Sequence, residues 1–219
     1  LEFRRVLFRS NQALATARSN AQTTFISKIG TEGDADFMLE DFEEAHMNTD
    51  YIMTTDTAQT GQAFITIDAN GQNTILVYGG ANMELNDTDV NKAADAIAEA
   101  DYIIAQLEVP VPAIISAFKI ARENNVTTIL NPAPASELSK DLLTLTDIIV
   151  PNETEAELLS GIAVTDRASM HQNAEYFLSL GMKVVIITLG EQGTYYATAN
   201  SAGLIPSFKV KAIDTTAAG

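Results

Sequence analysis

Short apolar runs rich in β-branched residues alternate with helical patterns along most of this 219-residue chain. That rhythm restricts the fold more than any single motif. DYIIAQL (101–107), VTTILN (126–131), TDIIVP (146–151) and KVVIITLG (183–190) read as strands, the first of them as a buried one. PAIISAFKIARENN (112–125), ETEAELLSG (153–161) and SMHQNAEYFLSLG (169–181) read as helices between or beside them. A strand, a crossover helix and a second strand make a right-handed parallel unit. The expected fold class is therefore α/β, with a mostly parallel central sheet flanked by helices. The earlier residues keep the rhythm, with a helix over 11–20, a strand over 23–30 and helices over 36–47 and 89–100. Two exceptions are antiparallel. TGQAFITID and NTILVYGG predict a hairpin near 61–78 with Asn70 and Gly71 at its turn, and GTYYATAN with GLIPSFKV predicts a small pair near a sheet edge.

Charge and composition narrow the chemistry. A net charge of −16 argues against a broad nucleic-acid or anionic-membrane surface, so phosphate chemistry here must be local. With no cysteine there is no disulfide, thiolate nucleophile or zinc-thiolate site, and neither His46 nor His171 has zinc-ligand spacing around it. A bound metal would be a hard ion held by oxygens, such as magnesium. No apolar run is long enough to span a bilayer and no signal peptide is recognisable, which makes the cytoplasm the expected location. The first ten residues, LEFRRVLFRS, carry Arg4, Arg5 and Arg9 against Glu2 in an otherwise acidic chain. They fit a basic arm, a native strand or a fused scar. The abrupt start of a helical pattern at Asn11 favours the scar, leaving 11–219 as one domain truncated at both ends.

In an open α/β sheet, ligands bind at the carboxyl ends of the strands. The segments there are QLE (106–108), NPAPA (131–135), PNETE (151–155), TLGEQG (188–193) and DTTAAG (214–219). In DTTAAG the small residues Ala217, Ala218 and Gly219 let backbone N–H groups approach an oxyanion, although a turn capped by Asp214 or Thr216 fits equally well. Asn152 and Glu155 in PNETE have the spacing of a capping box. Gly190 and Gly193 in TLGEQG supply a permissive turn. Glu108 ends an apolar strand, where a carboxylate is costly unless solvated, paired or bound to a polyhydroxylated ligand. The prolines of NPAPA fix the backbone after a strand, and Asn131 there can orient the loop.

Taken in order, NQALATAR, QLE with NPAPA, PNETE, TLGEQG and IDTTAAG resemble the motifs of the PfkB carbohydrate kinase family from Asn11 to Gly219. The resemblance implies transfer of the γ-phosphoryl of ATP to the 5-hydroxyl of D-ribose. It assigns Asn11 and Glu108 to the sugar. It assigns Asn152, Thr188, Gly190, Glu191 and Gly193 to ATP, and Glu155 to magnesium through water. Asp214 and Thr216 fall to a monovalent cation, usually potassium, and Ala217, Ala218 and Gly219 to the anion hole. It also implies a small β lid, to which the 61–78 hairpin would contribute, and a homodimer in the full-length parent. The family's signature continues with an aspartate that acts as base. Because this sequence stops at Gly219, the polypeptide as given is expected to be inactive. Another sugar or nucleoside kinase of the family, or a sugar-binding protein without catalysis, are the alternatives.

Overall fold

The computed structural model describes residues 8–33, 35–67 and 73–209. They form two compact units. The first holds the described residues up to Ala96 together with Glu108–Ala113, and the second holds Ile97–Leu107 and the described residues from Ile114 onwards.

The first unit begins with α1 (Phe8–Arg18), β1 (Ser27–Gly30), α2 (Asp36–Glu44) and β2 (Ile52–Thr55). The helix thus starts at Phe8, earlier than the residue pattern from Asn11 indicates. β1 and β2 pair in parallel, Ser27 opposite Ile52 and Gly30 opposite Thr55. Beside them Leu14, Phe25, Phe42 and Met47 form an apolar cluster, with the Phe25 and Phe42 rings edge-on at 4.9 Å. The next strands, β3 (Gln62–Ile67) and β4 (Asn73–Tyr78), form the expected antiparallel hairpin, Gln62 opposite Tyr78. Its Asn70–Gly71 turn lies outside the described residues. At the hairpin base Gly80 has φ +50°, and a Cβ there would strike the Gln59 carbonyl. Glycine is needed on both counts.

The single helix expected over 89–100 is two short ones, α3 (Asp87–Lys92) and α4 (Ala94–Ala98). Asn86 starts the run early because its Oδ1 accepts from the N–H groups of Thr88 and Asp89 at 3.0 and 3.3 Å. Asp89 is buried and pairs with Lys28 of β1 at 2.5 Å and with Lys92 at 3.4 Å. Burial pushes the Asp89 carboxyl up, but the two ammonium groups outweigh it and hold the group below its ordinary range.

In the second unit β5 (Tyr102–Ala105), α5 (Val111–Glu123), β6 (Thr127–Leu130), α6 (Lys140–Thr144) and β7 (Ile148–Ile149) lead to α7 (Glu153–Ser160) and α8 (Arg167–Ser179). Of these, α5 enters the unit at Ile114. The chain then continues through β8 (Val184–Thr188), β9 (Thr194–Thr198) and β10 (Ala202–Ile205). The sheet order is β10-β9-β8-β7-β6-β5. β5 to β8 are parallel, and β9 and β10 are antiparallel to their neighbours. This is the α/β arrangement that the alternation predicts. Val185 and Ile187 of β8 are fully buried against Phe177 and Ala174 of α8 and Ala156 of α7. The expectation that 101–107 is a buried strand is corrected: β5 is an edge strand, and Tyr102 and Ile104 are 61% and 44% exposed. β10 stops at Ile205 rather than running to 210, since Pro206 has no N–H to continue the ladder.

Below the amino ends of the parallel strands lies a polar clamp. Asp147 is buried just before β7, and its Oδ1 accepts from Arg122 Nη1 at 2.6 Å and pairs with Lys183 Nζ at 2.9 Å. Its Oδ2 accepts from the N–H and hydroxyl of Thr128, both at 3.1 Å. Burial pushes this carboxyl up, yet Lys183, the Thr128 N–H and Arg122 together hold it below the usual aspartate range.

Candidate active site

At the opposite, carboxyl ends of these strands, two of the expected motifs meet. β7 is followed by Val150, Pro151 and Asn152, the N-cap of α7. Asn152 Oδ1 accepts from the Glu155 N–H at 2.8 Å, and Glu155 Oε2 accepts from the Asn152 N–H at 2.9 Å. The capping box read from the sequence is therefore present in both directions. From the adjacent strand, the Thr188 N–H donates to the Pro151 carbonyl at 2.9 Å, and Asn152 and Thr188 form a parallel bridge. PNETE and TLGEQG, some 36 residues apart in sequence, are thus one edge in space.

The turn after β8 is tight. Gln192 N–H donates to the Leu189 carbonyl at 3.0 Å, Gly193 N–H to Gly190 at 3.1 Å, and Leu189 N–H back to Gly193 at 2.9 Å. Gly193 has φ +99° and ψ −132°, a conformation that side chains exclude. A Cβ there would also strike the Ile205 carbonyl and come within 2.7 Å of the Ser207 N–H. Glu191 is exposed, and its carbonyl accepts from Ser207 Oγ at 2.6 Å. No local pattern reveals Ser207 as a support for this loop, because its partner lies sixteen residues back in the chain. Gly190, with φ +53°, faces open space on the side where a Cβ would point.

Glu155 is only 6% exposed. Burial pushes its carboxyl pKa up, and the Asn152 N–H opposes that only in part. A nearby cation would favour its ionised form. A single carboxylate with one oxygen already committed suits a magnesium ion held through water and substrate phosphates, not an all-protein cage. No cluster of three His, Asp or Glu side chains able to hold a metal occurs among the described residues.

NPAPA laces this edge to its neighbours. The Asn131 N–H donates to the Ala105 carbonyl at 2.9 Å, the Leu107 N–H to Ala133 at 2.8 Å, and Asn131 Nδ2 to the Val150 carbonyl at 2.8 Å. Asn131 thus holds the loop, as the residue pattern suggests. The two sugar-side candidates belong to the first unit. Asn11 is partly buried on α1, and Glu108 is partly buried in the turn before α5. Asp214, Thr216, Ala217, Ala218 and Gly219 lie outside the described residues.

The family profile described as pfkB family carbohydrate kinase matches residues 9–219. The chain belongs to the PfkB family of carbohydrate kinases. This PfkB chain is 66% identical over 210 residues to the ribokinase of Staphylococcus aureus, covering 96% of the chain and 69% of that protein. Among solved structures it resembles the ribokinase of Thermotoga maritima, with a TM-score of 0.82 at 32% identity, covering 94% of this chain and 67% of that one. It also resembles the Arabidopsis thaliana ribokinase complexed with ribose and ATP, with a TM-score of 0.82 at 25% identity and the same coverage. Among the described residues no helix is long and apolar enough to cross a membrane.

Proposed function

We propose that this chain is the nucleotide side and part of the sugar side of a kinase that transfers the γ-phosphoryl group of ATP to the 5-hydroxyl of D-ribose. The observation that carries the reading is the bridge between Asn152 and Thr188 at the carboxyl ends of β7 and β8. It brings the two nucleotide motifs to one strand edge, the place where ligands bind in open α/β sheets. The ribokinase relatives, one of them solved with ribose and ATP, support the choice of substrates.

In this reading Asn152, Thr188, Gly190, Glu191 and Gly193 orient ATP. Glu155 would hold magnesium through water, and the ion would supply charge neutralisation on the phosphates. Ala217, Ala218 and Gly219 would supply the anion hole for the transferred phosphoryl, and Asp214 and Thr216 would hold potassium. The Asn11 amide donates to and accepts from sugar hydroxyls and the Glu108 carboxylate accepts from them, which fixes the 5-hydroxyl for attack; positioning supplies much of the acceleration in such transfers. The protein works in the cytoplasm and dimerises through the hairpin of β3 and β4, whose Leu76, Val77 and Tyr78 are exposed.

The test is ADP release from ATP with ribose, deoxyribose, fructose and adenosine as acceptors, using the gene product that contains this chain. Ribose should give the highest kcat/KM. A preference for adenosine or fructose would move the protein to another branch of the family.

A further inference from the structure

Asn131 is placed where a backbone ladder runs out. β7 gives only Ile148 and Ile149 to the sheet. On its β6 side one more rung follows, as the Val150 N–H donates to the Leu130 carbonyl at 2.9 Å. The next residue, Pro151, has no N–H to offer. The Val150 carbonyl takes Asn131 Nδ2 at 2.8 Å. Asn131 is itself anchored, because its own N–H is bound to Ala105 of β5. Its side chain therefore stands as the last rung before the turn that carries Asn152.

The Val150 carbonyl decides which way the amide faces, since only the NH2 end can donate to it. Oδ1 is then buried with no partner among the described residues. Packing alone would favour an apolar side chain over an amide with an unpaired acceptor. One residue beyond Val150, the Pro151 carbonyl accepts from Thr188.

We propose that Asn131 is a positioning residue for the nucleotide side: by fixing the Val150 carbonyl it sets the direction of the Pro151–Asn152 turn against Thr188 and the 190–193 loop. This rests on the reading of that edge as the ATP site. Asn131 acts through Asn152 and Thr188 and makes no contact with substrate in this account.

Asn131→Asp and Asn131→Ala test it through two readouts. In hydrogen exchange on the chain itself, the Glu155 and Thr188 amides should exchange about tenfold faster in either variant, the effect of one lost hydrogen bond. The Asp147 and Lys183 amides, at the other ends of the same strands, should change less than about twofold. In kinetics on the gene product, the KM for ATP should rise about tenfold and the KM for ribose less than about twofold. Asn131→Asp should have the larger effect, because it sets a carboxylate against the Val150 carbonyl. If Asn131→Asp fails to fold, Asn131→Ala carries the test. Equal acceleration of all four amides, no acceleration at Glu155 and Thr188, or equal rises in both KM values would overturn the proposal. The expected exchange pattern in a protein that does not phosphorylate ribose would support the positioning role and overturn the ribose reading alone.

Discussion

The two units hold their polar groups in place by different means. In the second, a six-stranded sheet fixes the loops at both ends: the Asp147 clamp closes one end and the Pro151–Thr188 link the other. In the first, two short parallel strands are held by side chains. Lys28 reaches Asp89 and the Glu84 carbonyl, and the Glu84 carboxylate accepts from Thr55 at 2.7 Å and from Thr57 at 2.9 Å. Hydrogen bonds from Thr55 and then Thr57 hold the Glu84 carboxyl below its ordinary range. The second unit carries its Asp147 ion pairs on a six-stranded backbone ladder, whereas the first carries its Asp89 ion pairs beside a two-stranded parallel one. The Pro151–Asn152 turn and the 190–193 loop are thus built on the larger sheet.

Lys28→Met should weaken the first unit most. It leaves Asp89 buried with only Lys92 beside it, and loss of one partner of a buried pair costs about 3 kcal/mol. Denaturant unfolding should show the first unit lost before the second. Asp147→Asn should cost about 2 kcal/mol, because Arg122 and Lys183 are solvated while Thr128 is fully buried. Gly193→Ala should cost about 1–3 kcal/mol of local strain and weaken ATP binding more than overall stability. Unfolding and nucleotide titration, measured on the same variant, would separate the two effects.

The smallest effect concerns pH. Asp89 and Asp147 have lowered pKa values, so their stabilisation is present above the ordinary aspartate range and lost as pH falls through the lowered values. Glu155 has the opposite sign. Its raised pKa means that burial costs little below the ordinary glutamate value, and the cost grows as pH rises through the raised one. Glu155→Gln should remove that dependence while the side-chain oxygen still accepts from Asn152. A Glu155→Gln profile between acid and neutral pH that matches the parent's would show that the carboxyl is not desolvated.

What could be read from the sequence follows the range of the interactions. β8 is legible because VVIIT is continuous and β-branched, and the α7 start is legible because a capping box is local. β2, with Met53 and two threonines, goes unread because its pairing with Ser27–Gly30 supplies what its composition does not. α6 has five residues, too few to show a period. The start of α8 at Arg167 rests on an Asp166–Ser169 capping box just ahead of the apolar pattern. Motif order points to the nucleotide edge, but the contact between Asn152 and Thr188 is a product of strand order. The Asp147 clamp has no sequence signature at all, since it draws on α5, β6 and the residue before β8.

The proposed function stands on nucleotide binding at the Asn152–Thr188 edge. Hydrogen exchange of the gene product with and without magnesium and ATP tests it most directly. Exchange should slow at the amides of Glu155, Thr188 and Gly190–Gly193, with the Asp147 and Lys183 amides unchanged. ATP binding that leaves the Glu155, Thr188 and Gly193 amides unprotected while slowing exchange elsewhere would contradict it.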